Sequence, residues 1–260
     1  ALIDTGLARR IALVFVRWFG RSSLGVGYAL SLTDLVLASI IPSNAARSGG
    51  VILPVCRSIA ELYGSHPGET ARRLGGYLMA GVYQGGCVSA AMFFTGQASN
   101  PLAAQIAGGF GYTVTWGGWL AAAIVPGAVS IALTMWLVMK LYPPEIRRTP
   151  EAAEFARAEL EKMGVMTGAE KILLCVFLAV CGAWVSSSNT GIDITVAALL
   201  GSAVLLVTGV LPWPKVIGEH AAWNIFLWYG GLLRLGKALN EKGVTKALAE
   251  GLGGYFGGLD

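Results

Sequence analysis

The sequence predicts an all-α polytopic membrane protein with a re-entrant helical hairpin, and three observations predict it. The first is composition. Of 260 residues, 55% are hydrophobic and only 13% charged, and the mean hydropathy is +0.63. An ordinary soluble domain carries roughly 25% charged residues, and a soluble chain this short could not bury so much apolar surface in one core. The second is a series of long apolar segments. A spanning helix needs about 20 mainly apolar residues, because each adds ~1.5 Å against a hydrocarbon core of ~30 Å. Segments 74–94, 119–141, 172–185 with its flanks and 194–211 qualify, and a fifth over 222–239 carries Arg234 and Lys237 near its end. The third is a broken segment. The apolar stretch 24–41 stops at Pro42, and a second one, 51–59, follows almost at once. Two half-length helices with a polar break suit a re-entrant hairpin, since irregular backbone at membrane depth is tolerated only inside protein or beside water.

Charge orients these segments. Arg9, Arg10, Arg17 and Arg21 precede the hairpin, and Arg57, Arg72 and Arg73 follow it. The stretch 143–170 holds Arg147, Arg148, Arg157 and Lys162, whereas 107–118 carries no charge and 186–195 only Asp193. The positive-inside rule places the first group in the cytoplasm. The expected layout is a cytoplasmic amphipathic arm over 1–21 and a re-entrant hairpin over 22–63. Two transmembrane helices over 64–142 follow, the first broken at 95–101. A cytoplasmic loop over 143–170 comes next, with a short solvated helix of no special role around 151–163. Three transmembrane helices over 171–239 and a second arm over 240–260 complete it.

Composition also narrows the function classes. The net charge of +4 comes with no basic run, so nucleic acid is not an expected partner; the lipid bilayer is. Cys56, Cys87, Cys175 and Cys181 show no paired metal spacing and read as buried free thiols, which behave as small hydrophobes. The two histidines, His66 and His220, fall beside helix ends and read as solvated. With no His-Glu-x-x-His pattern and no Cys/His cluster, an intramembrane enzyme lacks its chemistry. A channel subunit would want a ring of like charges or a hydrophobic gate.

Residues 1–12, ALIDTGLARRIA, share a pattern with residues 238–249, ALNEKGVTKALA. Each reads as an amphipathic arm leading into a hairpin, one on each face of the membrane. That is an inverted repeat, the architecture of many secondary transporters. The second hairpin is then expected beyond Asp260, and the chain is expected not to transport by itself.

The hairpin tip reads Pro42-Ser43-Asn44-Ala45-Ala46-Arg47-Ser48-Gly49-Gly50. The carbonyl end of the first half-helix suits a cation. The N–H end of the second suits a carboxylate. Ser43 and Asn44 are equally ordinary N-cap residues. A second break, Thr95-Gly96-Gln97-Ala98-Ser99-Asn100-Pro101, follows the 74–94 segment; its plainer reading is a kink at Pro101. Arg47 is either a bidentate carboxylate clamp or a structural charge capped by nearby carbonyls or an acid. Asp34, a costly charge inside the first half-helix, is placed by its depth beside Arg57 of the return helix, or against a backbone donor.

These residues resemble a known family. Arg9-Arg10-Ile11-Ala12-Leu13, the SNAARSGG tip, the TGQASNPLA break, YPPEI at 142–146, the Gly191-Ile192-Asp193 turn and segment 223–231 are similar to the divalent anion/sodium symporters. The similarity is greatest to the branch of dicarboxylate/citrate exchangers and plastid 2-oxoglutarate/malate translocators. The resemblance covers nearly the whole chain. It implies secondary transport of succinate-, malate-, 2-oxoglutarate- or citrate-type anions by elevator-like alternating access, as exchange or Na⁺-coupled symport. It also implies a homodimer in a bacterial inner membrane or a plastid inner envelope. No cofactor is implied beyond Na⁺ as a coupling ion. Carried over residue by residue, Ser39, Ser43, Asn44 and Gly96 would hold sodium. Ser43, Asn44, Ala45, Arg47, Gln97 and Asn100 would line the substrate. The chain departs from the family at Ala45, where Thr is usual, which removes one hydroxyl. Ser188-Asn189-Thr190 spells the family motif but is expected in an outer loop with no half-helices around it.

Overall fold

The computed structural model describes residues 1–256, so the last four residues of the expected second arm lie outside the described residues. The described chain is helical, with one isolated antiparallel bridge between Ser22 and Arg148. It divides into two units, Ala1–Val210 and Leu211–Asp260.

The first unit opens with α1 (Leu7–Phe19), whose Leu7, Ala8, Ala12, Leu13 and Val16 recur at helical spacing and are buried. Helix α2 (Ser23–Ala38) starts at the N-cap Ser22, whose side chain accepts from Gly25 N. It ends sooner than the apolar stretch does. Residues 39–43 are irregular, and the return helix begins with α3 (Asn44–Arg47). A π-helical turn, Ser48–Ile52, joins α3 to α4 (Leu53–Leu62) without leaving helical backbone. The segment expected to form the hairpin is therefore two helices of unequal length around a five-residue elbow.

Helix α5 (Gly75–Met92) follows a 3₁₀ turn at Ala71–Arg73. The chain then breaks, and α6 (Ser99–Gly109) restarts it. Pro101 is the third residue of α6, where a missing N–H costs nothing, so the interruption precedes the proline and is no proline kink. Helix α7 (Trp116–Leu141) packs on α5 through small residues. At Gly127 the α5 side chain of Met92 lies 2.4 Å from where a Cβ would stand. At Gly81 of α5 the Met135 side chain of α7 lies 2.9 Å from where a Cβ would stand. Close contact through small residues is the usual glue of membrane helices, where lipid removes the hydrophobic drive between them.

Helix α8 (Pro150–Met163) lies in the charged stretch between the apolar segments. The expected solvated helix has one solvated face only. Ala152 and Ala156 are buried in the core beside Ala8 and Ala12 of α1, and Phe155, Leu160 and Met163 pack against the same cluster. Arg9 meets Glu159 at 2.8 Å, Arg10 meets Glu170 at 2.8 Å, and Tyr63 donates to Glu151 at 2.6 Å. The stretch before α8 binds by backbone to both neighbours: Glu145 N to Arg72 O and Thr149 N to Arg21 O, each 3.0 Å. This loop therefore straps the arm, the hairpin and α5 together at the basic end of the unit.

Helix α9 (Gly168–Thr190) begins with a reciprocal capping box between Thr167 and Glu170. It runs through Ser188-Asn189-Thr190, which therefore form its last exposed turn rather than a loop. Asp193 then caps α10 (Ile194–Val207), accepting from Thr195 N and Val196 N. Among the described residues two helices, α7 and α9, are long and apolar enough to cross a membrane. Helix α10, expected to run to residue 211, has 14 residues, about 21 Å at 1.5 Å per residue, short of a bilayer core. Cys56 is buried as expected, Cys181 is partly buried, and Cys87 and Cys175 are exposed on apolar helices.

The second unit holds α11 (Trp213–Ile217), α12 (His220–Glu241) and α13 (Val244–Phe256). Helix α13 starts after Gly243 at φ 73°, and α1 starts after Gly6 at φ 85°. Those two glycines occupy the same place in the two matching twelve-residue stretches.

Candidate functional site

The hairpin tip and the break after α5 meet at one side chain. Arg47, one turn into the return helix, has no exposed surface. Its Nε donates to Asp34 Oδ1 at 3.1 Å. Its Nη1 donates to Ile41 O at 2.5 Å and to Gly96 O at 3.0 Å. Its Nη2 donates to Asn44 Oδ1. One guanidinium thus ties both halves of the hairpin to the break. Two expectations change. Asp34 pairs with Arg47 and not with Arg57, which is exposed on α4. Depth along an ideal hairpin misplaces the pair because α2 ends at Ala38, only one turn past Asp34, and the elbow brings Arg47 back to it. Nor is Arg47 presented as a substrate clamp. It is enclosed, four of its five N–H groups have protein acceptors, and a buried acid balances its charge.

The break is held by side chains that cap α5. Asn100 donates to Ala90 O at 2.9 Å and to Phe93 O at 2.8 Å, and accepts from Gln97 Nε2 at 3.0 Å. Trp119 Nε1 donates to Ala91 O at 2.9 Å. The last carbonyls of a helix have no partner inside it, and here indole and amide donors supply them. Both N–H groups of Asn100 are thereby spent, so it serves as a helix cap and has no donor left for a carboxylate. Gln97 is half-buried beside it.

The oxygens expected to hold sodium have other partners. Gly96 O and Asn44 Oδ1 accept from Arg47. Ser39 Oγ donates to Val36 O at 2.7 Å, and Ser43 Oγ accepts from Ala46 N at 3.3 Å as the N-cap of the return helix. A cation drawn to Gly96 O and Asn44 Oδ1 would meet a permanent positive charge on the same two oxygens. The residues present do not fit a sodium ion at this place.

What the tip offers is suited to an anion. Asn44 is half-buried, and with its Oδ1 engaged its Nδ2 remains as a donor. The first N–H groups of the return helix, at Asn44 and Ala45, have no intrahelical acceptor, and Ala45 and Ala46 are exposed. The positive end of the helix dipole adds to this. The structure also brings in a residue that the sequence reading passed over. Thr95 Oγ1 donates to Ser39 O at 2.9 Å and accepts from Trp116 Nε1 at 3.3 Å. Its signal was weak, since a lone Thr beside a Gly reads as ordinary break chemistry.

Over residues 1–259 the chain matches the family described as the sodium:sulfate symporter transmembrane region. The chain belongs to this family. It is 44% identical over 245 residues to YflS of Bacillus subtilis, named as a malate transporter, covering 94% of this chain and 51% of that one. It is 40% identical over 259 residues to the chloroplastic dicarboxylate transporter 1 of Spinacia oleracea, covering 99% of this chain and 46% of that one. It is 37% identical over 251 residues to the inner membrane protein YbhI of Escherichia coli, covering 96% and 52%. As a member of a transmembrane family the chain is a membrane protein. It spans about half the length of the curated relatives it matches, and the resemblance to dicarboxylate transporters read from its motifs holds.

Proposed function

We propose that this chain is half of a secondary transporter that exchanges dicarboxylates, with the hairpin tip as half of the substrate site. One observation carries this reading: the Arg47 guanidinium stands where the first coupling cation would sit, bonded to Gly96 O and Asn44 Oδ1. A fixed positive charge at the tip removes the need for a bound cation beside an incoming dianion, which favours exchange over sodium symport. Ser43 and Asn44, the backbone at Ala45, and Gln97 line the proposed carboxylate position. Arg47 and Asn100 hold the scaffold behind it.

The remaining features follow from the same reading. The hairpin is re-entrant, since its loop end is polar and its opposite end lies among Arg72, Arg73 and Arg147. The two arms are related as an inverted repeat, supported by the helix starts after Gly6 and Gly243 at matching positions. In this reading the protein works as a homodimer by an elevator-like movement, in a bacterial inner membrane or a plastid inner envelope; what supports the setting is one relative named as an inner membrane protein and others named as chloroplastic.

The test is counterflow in proteoliposomes that hold the full-length protein. Labelled malate should enter only when unlabelled dicarboxylate is inside, and replacing Na⁺ by choline should change the rate by less than about twofold. Uptake into empty vesicles driven by a Na⁺ gradient would sink the exchange reading.

A further inference from the structure

The second break connects to more than the hairpin tip. Thr95 Oγ1 sits between Ser39 O, at the carbonyl end of α2, and Trp116 Nε1, at the first residue of α7. The Trp116 indole is buried and lies 5.9 Å from the Trp184 ring of α9, tilted by 33°, with Phe93 6.1 Å away on the break itself. Trp184 Nε1 in turn donates to Ile194 O at 2.9 Å, where α10 begins. An unbroken chain of contacts therefore runs from the tip, through one hydroxyl and two indoles, to the α9–α10 pair.

We infer that Thr95 and Trp116 are positioning residues for the substrate site, setting where the carbonyl end of α2 and the break stand relative to the tip; this rests on the transport reading above. The physical case has three parts. Ser39 O is the C-cap carbonyl of a helix, one of the oxygens that a helix end leaves without an internal partner. The Thr95 hydroxyl supplies that partner, and it has one proton to give. The Trp116 N–H, a donor only, fixes the direction by taking the oxygen of Thr95, so the Thr95 proton can point only at Ser39. The indole itself is fixed by packing on Trp184 and Phe93, since aromatic pairs hold preferred geometries. Gly96, whose carbonyl anchors Arg47, is the next residue after Thr95, so a shift of Thr95 moves the guanidinium and with it Asn44.

The experiment uses the full-length protein in proteoliposomes with malate as the probe. Thr95→Val keeps the shape and removes the hydroxyl; Thr95→Ser keeps the hydroxyl; Trp116→Phe keeps the ring and removes the N–H. Thr95→Val and Trp116→Phe should raise the KM for malate about 3- to 10-fold, the worth of one ordinary hydrogen bond, with Vmax per folded protein near the wild-type value. Thr95→Ser should restore KM to within about twofold. A fall in Vmax with KM unchanged, or equal loss in the Ser and Val variants, overturns the assignment. Should Thr95→Val fail to accumulate, an unchanged KM in Trp116→Phe overturns it alone. If the wild type moves no malate in any medium, the transport reading fails instead. The strut is then read from tryptophan emission in detergent: the change caused by Thr95→Val should vanish in a Trp116→Phe background, and its persistence there overturns the strut.

Discussion

Arg47 carries a permanent charge with none of its surface exposed, and its neutralisation by Asp34 is a costly contact to break. Removing one partner of a buried ion pair leaves an uncompensated charge, at about 3–5 kcal/mol, whereas replacing both is often tolerated. Asp34→Asn should therefore sharply lower the amount of folded protein recovered from the membrane, and Asp34→Asn with Arg47→Gln should recover most of it by size-exclusion yield. Normal yield of the single variant would show that the pair is not structural. Asn44→Asp keeps the acceptor that Arg47 uses, so the fold should survive. It also removes the Nδ2 donor and sets a negative charge before an anionic substrate, so malate counterflow should fall to background. Retained transport by this variant would remove Asn44 from the site. The sequence made the tip legible because SNAARSGG concentrates small polar residues between two apolar stretches. It hid the partner of Asp34, because spacing along an ideal hairpin knows nothing of an α2 that stops at Ala38.

At the scale of elements, the caps decide where helices stop. Asn100 satisfies two carbonyls at the end of α5, and Asn100→Ala should lower the unfolding midpoint, at roughly 1–3 kcal/mol for each buried acceptor left unmade. An unchanged midpoint would return Asn100 to the substrate. Helix α8 gives a pH-dependent case outside the membrane. The Tyr63 hydroxyl holds the Glu151 carboxyl below its usual range, and the Lys162 ammonium, with Arg9 beside it, does the same for Glu159. Both groups bind protons less readily folded than unfolded, so their contribution is present above the ordinary glutamate range and is lost as pH falls through the lowered values. Hydrogen exchange over 150–163 should accelerate as pH drops from neutral to below 4 or so, after correction for intrinsic rates. Equal protection at both ends would show that these contacts do not hold the strap. Helical spacing made the existence of α8 legible, but not its inner face. Ala152 and Ala156 look like any solvated alanines until Ala8 and Ala12 of α1 stand opposite them.

For the molecule as a whole, the apolar segments were the clearest signal, and the lengths of the helices inside them were not. The stretch 194–211 reads as one span by hydropathy, yet Thr208-Gly209 ends α10 early, with Gly209 at φ 72°. The repeat offers its own test. Gly6 and Gly243 both hold a left-handed backbone, which costs a residue with a Cβ roughly 1–2 kcal/mol. Gly6→Ala and Gly243→Ala should each lower the unfolding midpoint, whereas glycines on open helix faces such as Gly182 should tolerate alanine. Indifference at Gly243 alone would argue against equivalence of the two arms. The π turn at Ser48–Ile52 sets the phase of the return helix. In an α-helix each residue turns the helix by about 100°, so by taking up one extra residue the wider turn keeps the face bearing Arg47 in phase with the face of Val55, Cys56 and Ile59. Deleting Gly49 would wind that turn back to α geometry without disturbing a packed side chain, since its surroundings are open. Because a π turn holds about one residue more than an α turn, the shortened helix would keep Arg47 and the face of Val55, Cys56 and Ile59 in nearly the same phase, and folded protein should still be recovered. The hairpin's chemistry is thus stored in a register: the wide turn can take up or release one residue, whereas a deletion inside α4 would rotate the face bearing Arg47 by about 100° against the rest of that helix.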